Sequence, residues 1–136
     1  VSYADESLAV AWGDVDGDGD PDLAVANNGP NRVYRNDAGV LTSSAVWNSF
    51  ETDNTFDVEW GDMDGDGDLD LVSGSNGPNR VYRNAGGVLS SAAIWTSTEL
   101  DATHAVALGD IDGDGDLDIV AGSRGANRVY LADACP

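Results

Sequence analysis

Apolar residues fall in short runs, each closed by a polar turn. Leu8 to Trp12 runs into Gly13-Asp14, and Leu23 to Ala26 ends at Asn27-Asn28-Gly29-Pro30. Arg32 to Arg35 ends at Asn36-Asp37-Ala38-Gly39, and a weaker run covers Val40 to Trp47. Gly, Pro, Asn and Asp mark every boundary. No stretch has the i, i+3, i+4, i+7 spacing of an amphipathic helix. The runs predict four short strands per unit, with turns between them. Runs such as Leu117 to Ala121 lack clean alternation, as expected of strands covered on both faces.

The unit repeats. Gly13-Asp14-Val15-Asp16-Gly17-Asp18-Gly19-Asp20 returns as Gly61-Asp62-Met63-Asp64-Gly65-Asp66-Gly67-Asp68, and again as Gly109-Asp110-Ile111-Asp112-Gly113-Asp114-Gly115-Asp116, 48 residues apart each time. Asn31-Arg32-Val33-Tyr34 returns as Asn79-Arg80-Val81-Tyr82 and Asn127-Arg128-Val129-Tyr130. A third block, Gly39-Val40-Leu41 to Trp47, recurs once, as Gly87-Val88-Leu89 to Trp95. The first two units agree at roughly 30 of 48 positions, as in a diverged duplication. Four strands in a unit of roughly 40–50 residues is the signature of a β-propeller blade. The expected fold is all-β: one repeat domain over 1–136, with an N-terminal strand or linker at 1–7. Repeat 1 covers 8–55, repeat 2 covers 56–103, and a partial repeat 3, lacking its last strand, covers 104–136.

Composition sharpens this picture. The chain has 136 residues, 25 acidic and 6 basic, for a net charge of −19. The basic residues are all Arg. So acidic a chain does not suit nucleic acid, which needs a basic footprint, or an anionic lipid surface. The hydrophobic fraction of 41% is enough for a core. No apolar run approaches the ~20 residues that span a bilayer, so no membrane insertion is expected. Val1 is not an initiator Met, which fits a processed chain or a fragment. Cys135 stands alone and can form no internal disulfide; it is read as an incidental thiol or an intermolecular link.

The charge is concentrated in the loops. Asp14, Asp16, Asp18, Asp20 and Asp22 alternate over nine positions. Asp62, Asp64, Asp66, Asp68 and Asp70 do the same, as do Asp110, Asp112, Asp114, Asp116 and Asp118. Alone, these carboxylates repel and favour an open, solvated loop. A hard divalent cation reverses that effect. Calcium takes 6–8 oxygens in flexible geometry, and positions 1, 3, 5 and 7 of a loop can wrap one ion. Position 6 is Gly19, Gly67 or Gly115, where such a loop turns sharply. Side-chain ligation is expected from positions 1, 3, 5 and 9, and backbone-carbonyl ligation from position 7 (Asp20, Asp68, Asp116). Position 8, Pro21, Leu69 or Leu117, is expected to begin the return strand. The set predicts about three calcium ions per chain. An EF-hand is rejected, because position 12 is Val25, Ser73 or Ala121 rather than Glu and the flanks are strands. Magnesium keeps its waters and few carboxylates, and zinc and copper need His or Cys nearby.

These blocks resemble FG-GAP/VCBS repeats, as in integrin-type propellers and calcium-loaded propeller lectins. The likeness rests on Asp-x-Asp-x-Asp-Gly-x-x-Asp in triplicate, with Val10-Ala11-Trp12-Gly13-Asp14 leading into the first copy. It covers essentially the whole chain. It implies a four-stranded blade with one calcium in the first hairpin loop, in an extracellular or cell-surface, adhesive or glycan-binding setting. Such propellers usually have about six to eight blades, whereas this chain holds two and a partial third.

The remaining residues read as structural. His104, the lone histidine, aligns with Leu8 and Phe56 and is assigned a structural or surface role. Trp12 and Trp60 are expected in the core. Trp47 and Trp95 are expected in blade packing, with sugar stacking as the alternative. Arg32, Arg80 and Arg128 are read as partners of nearby carboxylates or strand-end carbonyls. No Ser/His/Asp or Cys/His set can be assembled, and the paired carboxylates sit where calcium takes them. No enzyme activity is expected. The function expected is extracellular recognition of a glycan or protein surface. The alternative is a self-assembling structural protein. In that reading, Val1 to Ser7, which align with Ser49 to Thr55, continue a neighbour's last blade head to tail. Two chains then give a six-bladed ring, and non-closure gives a filament; a longer native chain is the third outcome.

Overall fold

The computed structural model describes residues 6–132, so Cys135 lies outside the described residues. These residues form strands and turns without an α-helix. In repeat 1 the strands are β1 (Ser7–Gly13), β2 (Asp22–Asn27), β3 (Arg32–Tyr34), β4 (Asn36–Asp37), β5 (Val40–Leu41) and β6 (Trp47–Asn48). Repeat 2 gives β7 (Thr55–Gly61), β8 (Asp70–Ser75), β9 (Arg80–Tyr82), β10 (Asn84–Ala85), β11 (Val88–Leu89) and β12 (Trp95–Thr96). Repeat 3 gives β13 (Thr103–Gly109), β14 (Asp118–Ser123) and β15 (Arg128–Tyr130).

Strands β1-β2-β3-β6 make one antiparallel sheet and β7-β8-β9-β12 a second; β13-β14-β15 make a three-stranded third. Each is a blade, and among the described residues the third has no outer strand. The expected fourth strand, Val40 to Trp47, is divided in two. Val40–Leu41 folds back on Asn36–Asp37 as a small hairpin, and only Trp47–Asn48 reaches the blade edge. The cause is the tight turn at Ala38-Gly39, both at positive φ, which reverses the chain four residues after Tyr34.

The core lies between blades rather than within them. Val15, Ala24, Ala26 and Val33 of the first blade close on Val58, Leu71, Tyr82 and Leu89 of the second. Met63, Val72 and Val81 of the second blade close on Ile119 of the third, with Leu108 and Tyr130 alongside. Each fully buried Val or Leu here contributes about 1.5–3 kcal/mol. Glycines at the ends of the first strands make the close approach possible. A Cβ on Gly13 would lie 2.5 Å from the Trp60 ring, and one on Gly61 would lie 2.5 Å from Leu108 Cδ1. The Trp60 indole also donates across the interface to the Ala11 carbonyl (3.3 Å).

The tryptophans differ by place. Trp47 meets Tyr82 edge-on at 5.0 Å, and Trp95 meets Tyr130 at 5.1 Å, so both serve blade packing. Trp60 is half-buried as expected. Trp12 is not in the core: it is 58% exposed. Its counterpart is covered only because another blade lies against it, and among the described residues no blade precedes the first. His104 stacks on Phe56 of the preceding blade, with centroids 4.8 Å apart, which is a structural role.

Candidate metal centre

Each acidic loop leaves the C-terminal end of the first strand of its blade and returns into the second. Two glycines turn it through the left-handed region: Gly17 and Gly19 (φ 75° and 95°), Gly65 and Gly67 (74° and 94°), Gly113 and Gly115 (79° and 99°). No Cβ is tolerated there without strain. The position-1 aspartate organises the turn. Asp14 Oδ1 accepts the N–H groups of Gly17 and Asp18 (2.8 and 3.1 Å), and Oδ2 accepts that of Gly19 (2.8 Å). Asp62 and Asp110 accept the equivalent N–H groups in their loops. Asp16 then accepts from Asp18, and Asp18 from Asp20.

Position 9 has a second task. Asp22 is fully buried, and its two oxygens accept Val15 N–H (2.8 Å) and Asn36 N–H (2.7 Å). Asp70 takes Met63 and Asn84, and Asp118 takes Ile111 and Ala132, in the same way. These aspartates tie the loop to the end of the third strand. Each oxygen keeps a further lone pair. At position 7, Asp20 Oδ2 accepts Ala38 N–H and Asp68 Oδ2 accepts Gly86 N–H, both at 2.8 Å. That turns one carboxylate oxygen of Asp20 and of Asp68 toward the neighbouring turn.

The carboxylates converge. Asp14, Asp16 and Asp18 each place an oxygen within 4.8 Å of the other two, as do Asp62, Asp64 and Asp66. In the third loop the group is Asp110, Asp112 and Asp118. Positions 1 and 3 are thus shared by all three groups, position 5 by two, and position 9 by the third. The donor set is entirely oxygen, anionic and held on a turn, which fits a hard cation such as calcium and lacks the nitrogen and sulfur donors that zinc and copper favour. The like charges carry a cost. Burial first, and then the neighbouring carboxylates, push Asp16 and Asp112 above the ordinary carboxylate range. Burial likewise pushes Asp70 up, against the opposing effect of its two N–H donors.

Sequence reasoning missed the arginine that follows the tyrosine of the third strand. Arg83 Nε lies 2.5 Å from Asp64 Oδ2, and its Nη2 lies 3.7 Å from Asp66. Arg35 pairs with Asp37 at 3.0 Å and reaches Asp16 at 4.0 Å. The third repeat has Leu131 in that place. The contrast was available in the sequence, but reading it required knowing that this turn folds over the loop. Several carboxylates outside the loops have structural partners. Arg80 pairs with Asp53 and Arg128 with Asp101, each at 2.5 Å; Asp57 accepts Val106 N–H and Glu51 accepts Ala93 N–H.

No curated protein matches this sequence. A family model described as the FG-GAP-like repeat matches it twice, over residues 14–73 and 62–121. Each match runs from one acidic loop into the second strand of the next blade, the step at which the structure repeats. The two together cover most of the chain, which belongs to the FG-GAP-like repeat family.

Proposed function

We propose that this β-propeller-like module is a non-enzymatic, calcium-stabilised binding unit that works outside the cell, recognising a glycan or protein surface. The supporting observation is the convergence of three carboxylate oxygens in each of the three loops. Without a cation these loops are self-repulsive; three divalent ions would change the net charge from −19 to −13. Positions 1, 3, 5 and 9 would supply side-chain oxygens and position 7 its carbonyl. Bound calcium would supply charge compensation and a rigid turn, not chemistry on a substrate. The loops project from the blade ends, where an extracellular partner can reach them.

The affinity expected is that of extracellular modules, with Kd roughly 10⁻⁵–10⁻³ M. A site at 100-fold excess calcium adds about 2.7 kcal/mol of stability, so the melting temperature rises with free calcium. The test is a thermal melt in chelator and in millimolar calcium, with stoichiometry by titration calorimetry. Three ions and a rising melting temperature are expected. Asp64→Ala should leave two ions, whereas Asp53→Ala should leave three. Superimposable melts would refute structural calcium. A glycan array with calcium present tests the recognition half, and its failure would move the ligand to protein surfaces.

A further inference from the structure

The junction of the first two blades holds a cavity that their packing leaves open. We propose that it receives one apolar side chain, of phenylalanine size, which a partner protein presents on an extended segment between basic residues. This deepens the recognition half of the proposed function and rests on it: of the two surfaces named there, it selects the protein.

The cavity lies where the acidic loop of the first blade meets the small hairpin β10–β11 of the second. A Cβ on Gly87 would lie 3.3 Å from Asp16 Cα, so the hairpin stands directly against that loop. Val15, Val33 and Leu89 form the buried floor. Val46 and Val88 stand at the mouth, 51% and 71% exposed. Both mouth residues line a junction between two described blades, so neither is bared by the limits of the described chain. Val40, the counterpart of Val88 in the first blade, is 70% exposed, so a preceding blade makes no difference at this position. Two bare valines flanking a dry floor form an apolar entrance that the fold itself does not use.

Size and lining select the occupant. The cavity measures about 170 Å³, slightly more than the roughly 150 Å³ of an apolar cavity that takes up benzene. Its walls are mainly aliphatic. Trp47, the aromatic wall, already meets Tyr82 edge to face and gives its indole N–H to the Ser90 carbonyl at 3.1 Å. A sugar needs several hydrogen-bonding groups around an aromatic face, and valines and a leucine do not supply them. They favour a hydrocarbon side chain that leaves water.

Charge selects what flanks that side chain. Arg35, at the rim, is held by three hydrogen bonds to Asp37, and the other charged group of the rim is Asp16. The chain carries −19, and three divalent ions would still leave −13. Such a field attracts basic segments and repels acidic ones. An apolar anchor in a pocket with a charged surround is the arrangement of an interface hot spot.

The test is an NMR titration of the isotope-labelled full chain in millimolar calcium. The probe is the capped peptide Gly-Arg-Phe-Arg-Gly. Its shifts should concentrate on the amides of Val46, Gly87 and Val88. Alanine in place of the phenylalanine should weaken binding about 10- to 100-fold, the worth of one buried large apolar side chain. Glutamate in place of both arginines should abolish it, and salt should weaken the original peptide. Val46→Arg and Val88→Arg, at exposed positions, should each weaken the peptide about tenfold through like charge, with calcium stoichiometry and melting temperature unchanged. Equal binding of the phenylalanine and alanine peptides would reduce the contact to charge alone and overturn the anchor. Absence of shifts at millimolar peptide overturns it too. Shifts of the same three amides by N-acetylglucosamine in place of the peptide would give the cavity to a glycan and also overturn it. These failures leave the calcium-stabilised binding unit standing, because its own tests are the calcium melt and the glycan array.

Discussion

The repeat supplies its own control for the claim that stability resides between blades. Val58 and Val10 occupy the same place in the first strand of their blades, paired with Ser73 and Val25 of the adjoining strand. Alanine at either removes the same two carbons and the same strand propensity. The cross-strand partners differ, but the large difference is the covering blade: Val58 is 2% exposed and Val10 is 60% exposed. At 58 the lost transfer free energy is about 1.6 kcal/mol for two buried carbons. The cavity against Ala24 and Ala26 adds about 1 kcal/mol, because the sheets on both sides are too rigid to collapse into it. The sum is about 2–3 kcal/mol. At 10, with less than half of the side chain covered, the loss is about 0.6 kcal/mol. For a chain of this length about 4 °C accompanies each kcal/mol, so Val58→Ala should lower the melting temperature by about 10 °C and Val10→Ala by about 2 °C. The melts should be run in calcium. Equal shifts at the two sites would refute the reasoning, since they would place the stabilisation within each sheet.

Arg83→Leu copies the third repeat into the second and should raise calcium affinity at that loop about three- to tenfold by removing a positive charge beside Asp64, as read by calorimetry. Ala38→Gly should stabilise the chain by about 0.5–1 kcal/mol in a urea melt, because Ala38 sits at φ 53° where repeat 2 has Gly86. In chelator, acidification should stabilise the protein. Glu59 and Asp70 are pushed up, chiefly by burial, from ordinary values of 4.5 and 3.8, so the folded state binds protons more tightly than the unfolded one. Stability is then greatest below the unfolded values and is lost as pH rises through the folded ones. Melting temperature should therefore rise between about pH 7 and 5 without calcium, and a fall over that range would contradict the tighter proton binding of these carboxylates in the folded state.

Much of this was legible without coordinates. The 48-residue step, the all-β class and the three aspartate loops follow from spacing alone, because a turn needs particular residues at particular places. Where the reading stopped, a longer-range contact decided. Val40-Leu41 has the composition of a blade strand, yet the turn at Ala38-Gly39 folds it back on Asn36–Asp37. Asp22 looked like one ligand among five. Its burial and its bonds to Val15 and Asn36 depend on the third strand ending beside it, which no local pattern states.

Trp12 is the more instructive miss. The residue, the Val two places before it, the Gly-Asp after it and its place in the strand are those of Trp60, so the same local inference applies to both. Exposure differs because burial in a stacked fold belongs to a pair of blades rather than to a residue.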